Sequence, residues 1–473
     1  MTAKSLYSDR VVLAGEELEV VPALVTVSEG VITSVQRTAR HDLPQGCEFE
    51  DLGGRLLTPS FVNGHTHLSM SAFRGIGLDA MDGNIVEELY FRLETSITAD
   101  DVRAFSRMAA YECLLAGVGT VWDHYYHAEA VADALIDVGL TGVIAPTLQD
   151  LNGPGVDSLD AQLAATESIA TSSTYAEAGV VAATGPHATD TVSDSLWRRV
   201  ADLAERHELF IHSHVAQSVE EYTRSIEQHG CSPIERLDRL GVLDAGRGAL
   251  LVHGLFVDRP DLNRLRPGRN ILGYCPFSQV QFCFPAAVEE WWSAGAPIIL
   301  GTDCGACNDT MSVQQELRLM ASGGAYAVTA SAAGQRFLAG GSLENADALE
   351  QVRTGGRATR AAMSKTESLL ATVWGTPGEM HPRLLVGKIE SGYRANLAVW
   401  DLEHPACWPA TDPLRSLTMS DTSGALWGVM LNGEWRGTPG RFRDSVLESD
   451  RFKAAHLEAS ARLKDLLSRL SLD

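Results

Sequence analysis

Between Leu56 and Gly301, short apolar runs alternate with segments patterned for helix, and nothing else constrains the fold as much. The runs are Leu56-Leu57, Val118–Trp122, Thr141–Ala145, Val180–Thr184, Leu209–His212, Ala249–Val252, Ile271–Tyr274 and Pro297–Gly301. Segments such as Asp101–Leu115 carry the helical spacing between them. A strand that returns through a helix pairs in parallel with its predecessor, because a crossover cannot be made by a tight turn. Eight such units predict an α/β fold, a closed (β/α)8 TIM barrel, with an open doubly wound sheet as the alternative.

The chain ends read differently. Val11–Ala14, Ala23–Ser28 and Gly30–Gln36 near the start are strand-like, as are Gly387–Asp401 and Leu426–Trp435 near the end. Asn432-Gly433 is a hairpin signal. Ser449–Leu472 has the pattern of an amphipathic helix packed on the outside. At 473 residues the chain can hold more than one unit. It shows no long apolar run and no N-terminal signal pattern, which predicts a cytoplasmic protein. The net charge of −23 excludes nucleic acid and anionic membrane as partners, since phosphate contacts need clustered Lys and Arg. Eight cysteines without a disulfide-framework spacing fit a reducing compartment.

If the middle is a barrel, reactive groups belong just past the C-terminal ends of its strands. His65 and His67 follow the first run, two residues apart and so facing the same way on a strand. Two imidazoles converging from one strand end can grip a divalent cation. His187, His212, His214, His253 and Asp303 follow later runs in the same manner. Each alone reads as a hydrogen-bonded core side chain; seven on one rim point to a metal-dependent active site.

The motifs Pro59-Ser-Phe-Val-Asn-Gly-His-Thr-His-Leu68, Ser71–Ile76, Thr184-Gly-Pro-His-Ala188, His212-Ser-His-Val-Ala216, Val252-His-Gly254, Gly301-Thr-Asp303 and Gly387–Val399 resemble the metal-dependent amidohydrolase superfamily. The similar branch holds adenosine-type and cytosine deaminases and triazine hydrolases. The resemblance runs from about residue 10 to 440 and implies a TIM barrel over 59–384. It implies a composite β-sandwich from 1–58 and 385–440, with 441–473 left as a C-terminal helix. It also implies His65, His67, His214 and Asp303 as metal ligands, with Asp303 accepting a proton from water. His253 would polarise substrate or orient the nucleophile, and His187 would contact substrate or serve as an ordinary core histidine. A homo-oligomer is expected by the same analogy.

Binuclear members of the superfamily bridge two metals with a carbamylated lysine. Here no lysine occurs between Lys4 and Lys365, so one divalent metal ion per subunit is expected, with Zn, Fe or Co all suited to the ligands. One position departs from the deaminase pattern. The family motif ends His-x-x-Glu, whereas this chain carries Gln217. An amide donates a hydrogen bond but cannot act as a general acid, and Glu220 and Glu221 are expected to point outward. That favours hydrolysis of a small neutral urea, carbamate or thiocarbamate, with Gln217 bonding the carbonyl, as in phenylurea and thiocarbamate hydrolases related to the branch. An aminohydrolase or chlorohydrolase of an N-heterocycle, and a non-catalytic metal-binding relative, are the alternatives. Cys304 and Cys307 beside Asp303 read as pocket-lining thiols, with a sulfur ligand or redox pair as the other option. Trp122 and Phe277 are expected to line an apolar pocket for a small-molecule substrate.

Overall fold

The apolar runs from Val118 onward form strands, most of them paired in parallel with a neighbour in chain order. The computed structural model describes residues 3–470 apart from positions 16, 44, 47, 77–83, 282–283, 285 and 342. Phe61–His67 pairs with Val118–Tyr125, which pairs with Thr141–Leu148, which pairs with Val180–Ala182 and Gly185–Pro186. A bridge from Thr184 to Ile211 leads to Phe210–Val215, followed by Gly248–His253, Asn270–Tyr274 and Ile298–Leu300. Asp303–Cys304 pairs in turn with Phe61–His67; among the described residues no strand pairing joins it to Ile298–Leu300. Helices including Ala99–Leu115, Ala128–Val138 and Asp194–His207 connect the strands. The strands are buried along their whole length, as parallel strands covered by helices must be.

One boundary differs from the sequence expectation. Leu56-Leu57 is not the first strand of this ladder. Leu56–Pro59 lies in the sheet of the chain ends, antiparallel to Leu397–Trp400, and Phe61–His67 is the ladder strand. Both segments are apolar and buried, so periodicity could not separate them.

Two glycines allow the close approach of these segments. A Cβ on Gly64 would lie 2.3 Å from Ile299 Cδ1 and 2.8 Å from the Leu300 carbonyl oxygen. A Cβ on Gly301 would lie 2.6 Å from the His65 oxygen. Only hydrogen fits at either position, and the close approach sets His65 against the strand that leads to Asp303.

The chain ends build a single continuous mixed sheet of eight strands, where a two-sheet sandwich was expected. Its core includes Leu6, Val25, Ile32, Leu57, Leu397 and Met430. Asn432 and Gly433, both at positive φ, make the expected hairpin turn between Leu426–Leu431 and Glu434–Trp435. The C-terminal segment forms two helices, Phe442–Glu448 and Asp450–Arg469, where one was expected; positions 471–472 of the expected helix lie outside the described residues. The second packs on Ala99–Leu115 through Phe452 against Tyr111, ring centroids 5.1 Å apart, and through Arg462 and Arg469 paired with Asp101. Among the described residues no helix is long and apolar enough to cross a membrane.

Candidate metal centre and active site

The Phe61–His67 strand places His65 and His67 side by side, ring centroids 4.8 Å apart, and Phe210–Val215 brings His214 to within 5.1 Å of both. Hydrogen bonds fix the tautomers of two of them. His67 Nδ1 donates to the His124 carbonyl, and His214 Nδ1 donates to the His187 carbonyl at 2.9 Å. A carbonyl only accepts, so Nδ1 carries the proton and Nε2 presents a lone pair in each neutral ring. Those two Nε2 atoms lie 3.2 Å apart. Two lone pairs meeting in a buried site repel, and a cation between them resolves the repulsion. His65 Nε2 is buried without a hydrogen-bond partner, and Asp303 Oδ1 lies 3.8 Å from it and 3.5 Å from His67 Nε2. His65, His67 and His214 offer nitrogen atoms close enough to hold one divalent ion, and Asp303 groups in the same way with His65 and His253.

Burial pushes the pKa values of His65, His67 and His214 below the usual histidine value, and crowding by other histidines adds to this for His65 and His214. Neutral rings are the form a cation needs. Asp303 and His253 both sit at positive φ, 58° and 74°, a strained backbone for residues with side chains. The strain aims both groups at one point: His253 Nε2 is 3.8 Å from Asp303 Oδ2. Burial lowers His253 to about 4, so its ring is neutral too.

His67, His187, His214, Gln217, His253 and Asp303 all line one pocket above this cluster. Trp122 and Phe277 do not line it. Trp122 shares the inward face of its strand with His124 but lies one layer deeper, fully buried against Phe210 and His212. Phe277 follows its strand and is exposed, its N–H donating to Glu316 at 3.0 Å. Three other residues belong to the site or its support. His212 Nε2 is 2.8 Å from His65 Nδ1 and orients that ring. His124 lines the pocket with its Nε2 buried and unpartnered, its Nδ1 3.0 Å from Thr147 Oγ1. Glu94, at the end of the short helix Phe91–Glu94, also lines it. His124 stands at a strand end, where the rim rule reaches it; Glu94 carries no motif signal at all.

Of the two acidic residues following Gln217, Glu220 is exposed but Glu221 turns inward, against expectation. Ser218 caps the helix Val219–His229 by accepting the Glu221 N–H, and the Glu221 carboxylate reaches back to the Gln217 N–H at 2.7 Å. It also accepts from Thr189. Glu221 therefore fixes the loop that carries Gln217 and does not line the pocket. Cys304 and Cys307 are buried, with Cys307 Sγ donating to the Cys304 carbonyl at 3.3 Å, and Cys304 lines the pocket beside Asp303.

The amidohydrolase family model matches residues 56–356. A 5-methylthioadenosine/S-adenosylhomocysteine deaminase of Thermococcus kodakarensis is 27% identical over 424 residues, 89% of this chain and 91% of its own. The fold matches an adenosine deaminase from Xanthomonas campestris with bound zinc at a TM-score of 0.77, with 20% identity and 98% of each chain covered. It matches an atrazine chlorohydrolase from Arthrobacter aurescens complexed with zinc at 0.77, with 18% identity over 97% and 99%. These similarities and the histidine-rich rim define a metal-dependent hydrolase of TIM-barrel type with an additional domain. The chain belongs to the amidohydrolase family. The relatives favour the aminohydrolase alternative and do not support the urea, carbamate and thiocarbamate expectation, which had rested on Gln217 alone.

Proposed function

We propose that this protein is a mononuclear metal-dependent aminohydrolase that deaminates an adenosine-type substrate, with the parallel strands forming one closed (β/α)8 barrel beneath the site. The observation that carries the reading is the convergence of His67 and His214 Nε2 at 3.2 Å, beside Asp303 and the unpartnered Nε2 of His65. His65, His67, His214 and Asp303 would hold the cation. When bound, such a cation lowers the pKa of water and stabilises developing negative charge.

The chain's own groups do the rest. Asp303 takes the proton of the attacking water and returns it to the departing amine. His253, neutral and 3.8 Å from Asp303, orients the water and bonds the oxygen it becomes. His187 is likewise neutral, burial lowering it to about 3, and its Nδ1 is held 3.0 Å from Thr191 Oγ1, which fixes the ring toward substrate. Among adenosine-type compounds, the 27% relative supports a substituted nucleoside.

Ammonia release by zinc-loaded protein from a panel of adenosine, 5′-deoxyadenosine and 5-methylthioadenosine tests the reading. Turnover of at least one, abolished by chelation and by His214→Ala, is expected. No ammonia from any, with amine or thiol released from ureas or thiocarbamates instead, would overturn it.

A further inference from the structure

Deamination of a purine ring requires a proton at a ring nitrogen, and the residue at position 217 has none to give. The pocket contains two carboxyl groups among its described lining residues, Asp303 and Glu94. We infer that Glu94 is the general acid of this enzyme, protonating the substrate ring in place of the group that Gln217 lacks. The inference rests on the aminohydrolase reading.

Three observations meet at Glu94. It is only 6% exposed, and that exposure is to the same pocket that Gln217, His253 and Asp303 line. A π-helical turn, Val86–Tyr90, precedes its helix; such turns rotate the following side chains and recur at functional sites. The turn leaves Tyr90, Phe91 and Glu94 all facing the pocket. The neutral phenols of Tyr125, at the end of its strand, and of Tyr126, the next residue, lie beside it. Among the described lining residues there is no Lys or Arg to draw the proton off; His67, His124 and Asp303 line the same pocket. Burial consequently pushes Glu94 up to about 8, and the carboxyl keeps its proton at neutral pH. Glu221, the other buried acid near Gln217, is committed to backbone and Thr189 donors away from the pocket.

The step balances. Glu94 O–H gives its proton to the ring nitrogen while water oxygen bonds to the adjacent carbon and the water proton passes to Asp303. Asp303 then protonates the exocyclic amine, the carbon–nitrogen bond breaks and ammonia leaves. The new hydroxyl returns a proton to the Glu94 carboxylate as the carbonyl forms, restoring both acids. Gln217 bonds the ring but transfers nothing.

Two substitutions, alone and together, test the assignment on the zinc-loaded full chain. Glu94→Gln preserves shape and neutrality, so metal content and melting temperature should hold. Ammonia release should fall about 10²–10⁴-fold in kcat with KM little changed. Adding Gln217→Glu to Glu94→Gln should restore activity at least about tenfold, because a general acid is back in the pocket. The wild-type rate should also fall as pH rises through about 8, a limb that Glu94→Gln lacks. A raised KM with kcat intact, or a double variant as slow as the single one, would make Glu94 a binding residue and overturn the inference while wild-type ammonia release still stands. Wild-type protein that releases no ammonia would remove the aminohydrolase reading itself, and this role with it.

Discussion

At the scale of single residues, the site is held by groups that never touch substrate. His212 meets His65 Nδ1 at 2.8 Å and thereby aims His65 Nε2 into the cluster. Replacing it with Phe keeps the ring volume but removes that bond. Zinc affinity, measured by competition with a chelating dye, should drop about 10–100-fold, as is usual for groups that orient a metal-binding histidine. Unchanged affinity would show that packing alone orients His65. Trp122 behaves in the opposite way. Trp122→Ala empties a fully buried site and should cost about 3–5 kcal/mol in urea unfolding. KM should stay constant, since the indole lies below the pocket. The contrast marks how far sequence reaches. His65, His67, His214, His253 and Asp303 were legible because a strand end fixes both their position and their direction. Trp122 was misplaced because its facing is set by the period of the strand but its depth by where the ladder starts. Glu94 was invisible, since a π-turn at Val86–Tyr90 decides where it points.

At the scale of elements, the strand Phe61–His67 and the segment from Ile298 to Asp303 meet in a tightly packed joint. Gly64 packs against Ile299 and the Leu300 carbonyl, and Gly301 against the His65 backbone. A backbone oxygen cannot rotate aside as a side chain can. Gly64→Ala should therefore lower stability by about 1–3 kcal/mol and displace His65, reducing zinc affinity in the same protein. Retained affinity with full stability in calorimetry would mean that the strands separate without consequence for the ligands. The same joint explains why strand alternation was readable while the boundary at Leu56 was not. Leu56–Pro59 and Phe61–His67 are both fully buried, and only the partners each acquires assign them to different sheets. The helix Ala99–Leu115 was plain from its apolar spacing, and a capping box of Thr98 and Asp101 starts it two residues ahead of the expected Asp101.

At the scale of the whole molecule, buried acids and surface charge act together. Burial raises Glu94 to about 8, and Asp123, Glu221 and Glu316 to about 7, whereas ordinary carboxyls release their protons near 4. Between those values the folded chain holds protons that the unfolded chain has released. These acids alone make stability fall as pH rises from about 5 toward 8. The buried histidines, held below their ordinary value, add stability up to about pH 7 and offset the loss there. Each ionisation also adds negative charge to an already strongly acidic chain, so self-repulsion works in the same direction. The melting temperature at constant ionic strength should decline from about pH 7.5 to about pH 9, above the range in which histidines of the unfolded chain titrate. Added salt should recover the surface part of that decline but little of the buried part, because ions screen exposed charges and not desolvated ones. Glu94→Gln should flatten the slope by removing one of the four acids. A melting-temperature slope that is the same in wild type and Glu94→Gln would mean that Glu94 is ionised in the folded protein, and it would then have no proton to give at neutral pH.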